Sequence, residues 1–150
     1  MTRIKTILCP VDFSETAEVA FNYALDLAGS LGGQIHLLHV YQLPIYSLPD
    51  GGVVGGASWD HHMREAAQKE LDEFLQKHRD ASVKVTPHIA QGLPHMEINR
   101  AATENAADLV VMGTHGRSGI PHLLMGSVAE RVVRTSELPV LTIRGRRKPS

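Results

Sequence analysis

Apolar and polar positions along the chain follow two alternating periodicities. Short strand-like runs occur at Ile4–Val11, Gln34–Val40, Val83–Ala90, Leu109–Met112 and Val140–Ile143. Between them lie longer segments in which apolar residues recur every three or four positions, as on one face of a helix. This alternation predicts an α/β fold, with an open parallel sheet covered by helices on both faces.

Four segments carry the helical spacing. The first runs from an N-cap at Ser14 to Leu31, and the second from Trp59 to Arg79. The third spans 92–105, and the last begins at Gly126-Ser127 and ends near 135. Segment 41–58 contains two prolines and two pairs of glycines, so we expect a flexible, irregular loop there, which is either a mobile cover for a ligand site or a disordered insertion without function.

Length and composition limit the classes of protein to consider. The 150 residues, 43% hydrophobic and 21% charged, suit a single domain spanning 1–150. The net charge of −1 gives no field that would recruit nucleic acid or a membrane, and we expect the basic tail 145–150 to be solvated. Because the N-terminus lacks a secretory apolar segment, we expect a cytoplasmic location. Cys9, the single cysteine, lies in a strand and is predicted to be an inert buried thiol.

A glycine-rich loop follows the strand at Leu109–Met112. It contains Gly113 and Gly116 and leads to Gly126-Ser127, where the last helix begins. Glycines let backbone N–H groups approach an anion, and the first turn of a helix offers unpaired N–H groups to a phosphate. The alternative is that these glycines only turn the chain and that Ser127 only caps the helix. Composition alone does not separate the two interpretations.

The spacing Gly113-x2-Gly116-x9-Gly126-Ser127 resembles the nucleotide-binding signature of the universal stress protein family, in its ATP-binding branch. The segments GTHGRSG, GSVAERVVR and LPVLTIR are similar to that family, as is the opening ILCPVDFSETAEVAFNYALDLA. This resemblance implies a Rossmann-like, adenine nucleotide alpha hydrolase-like sheet with strand order 3-2-1-4-5. In that order the first and fourth strands meet where ligands of such sheets bind.

The resemblance also implies a set of site residues. Phosphate binding is implied for Gly116, Gly126, Ser127 and Val128. Asp12 and Gly113 would face the ribose, while the adenine would lie among Pro10, Val11, Val40 and Met112. His115 and Arg117 would neutralise further phosphate charge. Mg²⁺ would be bound through the phosphates rather than by a metal site of the protein.

The function predicted on this basis is that of an ATP-binding, nucleotide-responsive module in stress response or regulation. We expect at most slow ATP hydrolysis, because no carboxylate or glutamine is clearly placed beside the phosphate loop. The alternatives are a nucleotide-free dimeric interaction protein of the same fold, then a phosphoryl-chemistry enzyme. The last strand would be an exposed apolar edge, so a homodimer through Val140, Leu141, Thr142 and Ile143 is expected.

Overall fold

The strands form one large sheet and one small one. The structure, a computed structural model, describes residues 3–44, 46–54, 57–78, 82–116 and 125–145. In chain order the strands are β1 (Thr6–Pro10), β2 (Gln34–Tyr41), β3 (Tyr46–Ser47), β4 (Val53–Val54), β5 (Lys84–Gln91), β6 (Leu109–Gly113) and β7 (Val140–Ile143). The large sheet is parallel, with the order β5-β2-β1-β6-β7. Numbered within this sheet, that is the order 3-2-1-4-5, so the predicted fold class is confirmed.

Helices cover both faces of this sheet. They are α1 (Glu15–Leu31), α2 (Ala57–Lys77), α3 (Pro94–Glu104) and α4 (Ser127–Thr135). Buried side chains of α1 and α2 share one core cluster with β1, β2 and β6, whereas those of α3 and α4 share the other. Because both faces are covered, the central strands carry buried side chains along their whole length, as their unbroken apolar runs predicted.

Local hydrogen bonds fix where the first strand and helix begin and end. Ser14 is the N-cap of α1, and its hydroxyl accepts a hydrogen bond from the Ala17 N–H at 3.2 Å. Gly32 ends the helix in the left-handed conformation, with φ of +62°. At the N-terminal ends of β1 and β6, Asp108 accepts from the N–H groups of Lys5 and Thr6 at 2.8 and 2.9 Å. This carboxylate therefore ties the start of β6 to the start of β1.

Segment 41–58 differs from the prediction of an irregular loop. β2 extends to Tyr41, β3 and β4 form a short antiparallel hairpin, and α2 begins at Ala57. Each hairpin strand has only two residues, which is too short for a readable periodicity. Elsewhere the fold agrees with expectation: β5 with Pro87 lies at an edge of the sheet, and Cys9 is fully buried, which raises the pKa of its thiol.

Several parts of the sequence-based prediction fall outside the described residues. These are positions 45, 55 and 56 of segment 41–58, Arg79 at the predicted end of the second helix, Arg117 in the glycine-rich loop, and positions 146–150 of the basic tail. In the ranges that the structure does describe, no helix combines the length and the apolar character needed to cross a membrane.

Candidate functional site

A pocket of about 630 Å³ opens at the carboxyl ends of the strands. It lies where β1 and β6 are neighbours, the point at which the sheet's connections turn in opposite directions. All the predicted nucleotide-binding residues within the described part of the chain line it: Pro10, Val11, Asp12, Val40, Met112, Gly113, His115, Gly116, Gly126, Ser127 and Val128. The pocket thus brings together residues that lie more than a hundred positions apart in the sequence.

The turn between β1 and α1 holds the pocket's carboxylate in place. Asp12 Oδ1 accepts a hydrogen bond from the Ser14 N–H at 3.0 Å. Between them Phe13 has a φ of +64°, a left-handed conformation that is uncommon for a bulky residue. Its ring packs against His39 and Phe74, with centroid distances of 4.3 and 5.6 Å. These aromatic contacts lie on the face of the sheet that α1 and α2 cover, and they fix the turn that places Asp12 in the pocket.

At each of the three signature glycines, a different neighbouring atom leaves little or no room for a side chain. A Cβ on Gly113 would lie 2.7 Å from the Thr16 methyl group, so the packing of α1 alone requires a glycine there. A Cβ on Gly126 would lie 3.1 Å from the Thr114 carbonyl oxygen. For Gly116, which is exposed, the nearest atom is the Asp12 Oδ2, at 2.5 Å from the added carbon. Gly116 is therefore the signature glycine whose small size keeps the pocket's own carboxylate in place.

The N-terminus of α4 forms another wall of the pocket. Gly126 is the N-cap residue and Ser127 is the first residue of the helix. The alternative interpretation, in which Ser127 caps this helix, is therefore wrong. The first N–H groups of an α-helix have no acceptor within the helix, and here they belong to pocket-lining residues. This end of the pocket offers backbone donors and the positive end of a helix dipole to an anion.

Thr114 and His115 lie between the glycines of the loop. Thr114 is 3% exposed, and its hydroxyl oxygen lies 3.0 Å from His115 Nδ1. The Thr114 N–H donates to the Ile143 carbonyl at 2.9 Å, and the Thr114 carbonyl accepts from the Gly126 N–H at 2.5 Å. The second of these bonds closes the loop between the end of β6 and the start of α4.

Another part of the pocket is apolar. Val40 packs against the core cluster that contains Leu38, Ile98 and Met112, and all four residues line the pocket. Sequence reasoning missed several residues of the lining: Ala17, Leu38, Gln42, Pro94, Ile98, Thr114 and Ala129. Thr114 is the one with a readable signal, since it lies inside the Gly113-x2-Gly116 motif. Leu38 and Ile98 read as ordinary core residues, and they are also buried in the core.

Two features outside the pocket concern the sheet's edges. At one edge the predicted dimer residues Val140–Ile143 form β7, with half-buried side chains. Near the other edge His36 Nδ1 and His88 Nε2 lie 2.7 Å apart, which joins β2 to β5 through their side chains. Burial, followed by the charges of His88 and Lys84, lowers the pKa of His36 below its ordinary value of 6.5.

Comparison with known proteins agrees with this architecture. The family model described as the universal stress protein family matches residues 3–144. A universal stress protein of Methanocaldococcus jannaschii is 31% identical over 153 aligned positions, which cover 93% of this chain and 94% of that protein. The solved structure of that protein aligns with a TM-score of 0.76 and 29% identity, covering 99% of this chain and 100% of the other.

Two more distant solved structures share the fold. One is a universal stress protein in complex with cAMP, with 22% identity, a TM-score of 0.66, and coverage of 97% of this chain and 100% of the other. The second is the universal stress protein of Archaeoglobus fulgidus in complex with dAMP, with 20% identity, a TM-score of 0.60, and coverage of 95% and 99%. From the family match across nearly the whole sequence and the identity to its relatives, the chain belongs to the universal stress protein family.

Proposed function

We propose that the pocket binds ATP and that the protein is a nucleotide-responsive module in stress response or regulation. The observation that carries this proposal is the convergence of the β1 turn, the glycine loop and the α4 N-terminus on one pocket. A carboxylate, an apolar slot and a set of backbone donors occur there together. These are the three kinds of surface that a ribose, an adenine and a phosphate chain require.

Each part of ATP has a matching part of the pocket. The adenine would lie against the apolar part of the pocket at Val40 and Met112, and the ribose hydroxyls would donate to the Asp12 carboxylate. The phosphates would accept hydrogen bonds from the N–H groups at the start of α4, beside Ser127 and Gly116. Mg²⁺ would be held through the phosphate oxygens. A pocket of about 630 Å³ is within the usual size range for small-molecule sites.

Binding, rather than rapid hydrolysis, is the activity that the pocket supports. A fast ATPase needs a base or an amide that positions water for attack on the terminal phosphate. Among the described residues that line the pocket, Asp12 is the only carboxylate. Its Oδ1 already accepts the Ser14 N–H, and the carboxylate is assigned here to the ribose. Hydrolysis at this pocket is therefore expected to be slow at most.

We further propose that two copies pair through β7. This strand is last in the sheet order, so one side of its backbone contacts β6 and the other side has no neighbour within the sheet. The carbonyls of Pro139 and Ile143 accept from β6, at the N–H groups of Val110 and Thr114. Since the direction of these groups alternates along a strand, the N–H of Thr142 points away from β6. It is thus available to a second copy across a two-fold axis, which would cover the apolar edge.

Calorimetric titration with ATP and Mg²⁺ tests the proposal. The wild-type protein is compared with a Gly116→Val/Gly126→Val variant, in which two side chains crowd the phosphate end of the pocket. Saturable binding to the wild type that is lost in a variant with an unchanged circular dichroism spectrum supports the site. AMP, cAMP and dAMP in parallel titrations measure how much the phosphate chain contributes to affinity. A folded wild-type protein that binds no nucleotide at millimolar ATP refutes the proposal and favours the nucleotide-free dimer.

A further inference from the structure

Thr114 is a buried polar residue whose three polar groups are all in contact with partners. Its N–H bonds to Ile143 at the end of β7, and its carbonyl bonds to Gly126 at the start of α4. The two backbone bonds fix the position of its Cα. Because Thr is β-branched, few rotamers are open to it once the backbone is fixed. The hydroxyl is therefore a fixed point, and it lies 3.0 Å from His115 Nδ1.

The hydroxyl contact constrains the imidazole ring of His115. A hydroxyl group both donates and accepts, so it bonds to Nδ1 whether the ring is neutral or protonated. With Nδ1 directed at Thr114, the ring would meet a ligand through Nε2, on its opposite side. His115 lines the pocket next to Gly116 and two residues past Gly113. His115 therefore follows Gly113, the loop residue assigned to the ribose, in the sequence.

We infer that Thr114 is a positioning residue that holds the His115 imidazole against the phosphates beyond the first, and so sets the preference for ATP over AMP. The inference rests on the proposed nucleotide site. It follows from the position of His115 beside the start of α4, the part of the pocket assigned to the phosphates: a Cβ on Gly126, the N-cap residue, would lie 3.5 Å from the His115 Cα. AMP ends at its first phosphate, whereas the longer chain of ATP reaches the imidazole.

Loss of the hydroxyl is expected to lower the affinity for ATP through the orientation of the His115 ring. In Thr114→Val a methyl group faces His115 Nδ1, and the ring is no longer held in one orientation. A hydrogen bond of this kind corresponds to a change in affinity of about threefold to tenfold. The affinity for AMP, which does not reach the ring, is expected to change by less than about twofold. Thr114→Ser keeps the hydroxyl and is expected to bind both nucleotides as the wild type does.

A double-mutant cycle, measured by calorimetry with ATP·Mg²⁺ and with AMP, tests the inference. The proteins are the wild type, Thr114→Val, Thr114→Ser, His115→Gln and the Thr114→Val/His115→Gln double variant. If Thr114 acts through His115, the double variant binds ATP as weakly as His115→Gln alone. Circular dichroism and thermal unfolding establish that each variant is folded. If the valine variant does not fold, Thr114→Ala replaces it in both arms of the cycle.

The possible results separate this inference from the proposed site. If the wild type binds no nucleotide, both fail. If the wild type binds ATP but Thr114→Val loses ATP and AMP equally, or if the two losses add in the double variant, only the positioning role is overturned. A weakened ATP affinity that serine restores, with AMP unaffected and with no added loss in the double variant, is the result that supports it.

Discussion

Replacement of Gly116 by alanine is expected to weaken nucleotide binding while leaving the fold nearly unchanged. The added Cβ would lie 2.5 Å from Asp12 Oδ2, which is about 0.8 Å closer than an ordinary carbon–oxygen contact. A backbone yields less readily than a side chain, so the Asp12 carboxylate is expected to turn away from the pocket. A flexible side chain moves at low cost, and the loss of stability is limited to the bond from the Ser14 N–H, about 1 kcal/mol.

The effect on binding is larger than the effect on stability. Displacement of the carboxylate would remove the hydrogen bond that we propose it accepts from the ribose, and bonds to charged groups contribute about 1.5–3 kcal/mol. Calorimetry is therefore expected to show an affinity for ATP about tenfold to a hundredfold lower. Urea unfolding measures the small change in stability. The change in ATP affinity and the change in the free energy of unfolding together distinguish a displaced Asp12 carboxylate from a disrupted fold.

Gly29→Ala provides the matched control. Gly29 lies on the exposed side of α1, and a Cβ there would be 3.7 Å from a Val83 methyl group, an ordinary contact. Alanine is the better helix former, so this variant is expected to be about 0.5–1 kcal/mol more stable and to bind ATP unchanged. The reasoning is refuted if Gly116→Ala binds ATP within twofold of the wild type, since Asp12 would then make no contact that affinity depends on.

Three other predictions concern the sheet. Asp108→Ala removes the acceptor of two backbone N–H groups at the start of β1, and urea unfolding should give a stability loss of about 2–4 kcal/mol. A loss below about 1 kcal/mol would show that this carboxylate contributes little to joining β6 and β1. The folded-state pKa of His36 lies below 6.5, so the unfolded chain binds more protons than the folded protein as the pH falls through 6.5. The free energy of unfolding therefore declines as the pH falls. This decline should be smaller in His36→Gln, which lacks the titrating group and alters the bond to His88. An equal decline in both proteins, in urea titrations at pH 7.5 and 5.5, would show that His36 is not responsible. Thr142→Pro removes an N–H that points away from β6, and sedimentation should show a folded monomer. Leu141→Pro removes an N–H that points toward β6 and should unfold this edge of the sheet. A dimeric Thr142→Pro protein would argue against pairing through β7.

The sheet could be predicted from the sequence because its strands and helices have distinct periodicities. Leu109–Met112 is uniformly apolar since both faces of β6 are covered, and α1 shows its apolar face at a helical period. The order of the strands came from the resemblance to a family, because periodicity carries no information about which strands are neighbours. The hairpin of β3 and β4 was missed since its two-residue strands leave no pattern to detect.

The candidate site was predictable where its residues share a motif and unpredictable where tertiary packing creates the contact. The glycine spacing and Asp12 pointed to the pocket from the sequence. Thr114 lies inside the same motif, but its burial could not be predicted, because a polar residue in a glycine loop is ordinarily expected in solvent, whereas here the end of β7 and the start of α4 bury it. Likewise, the bond between His36 and His88 depends on the register of β2 with β5, which places Thr86 opposite His36.

A crystal structure of the protein with ATP and Mg²⁺ would show directly whether the nucleotide binds in the pocket between β1 and β6. We expect phosphate oxygens within hydrogen-bonding distance of the N–H groups of Ser127 and Val128, with the ribose at Asp12 and the adenine beside Val40. A nucleotide bound elsewhere on the protein, or a pocket without nucleotide in crystals grown at millimolar ATP, would contradict this expectation.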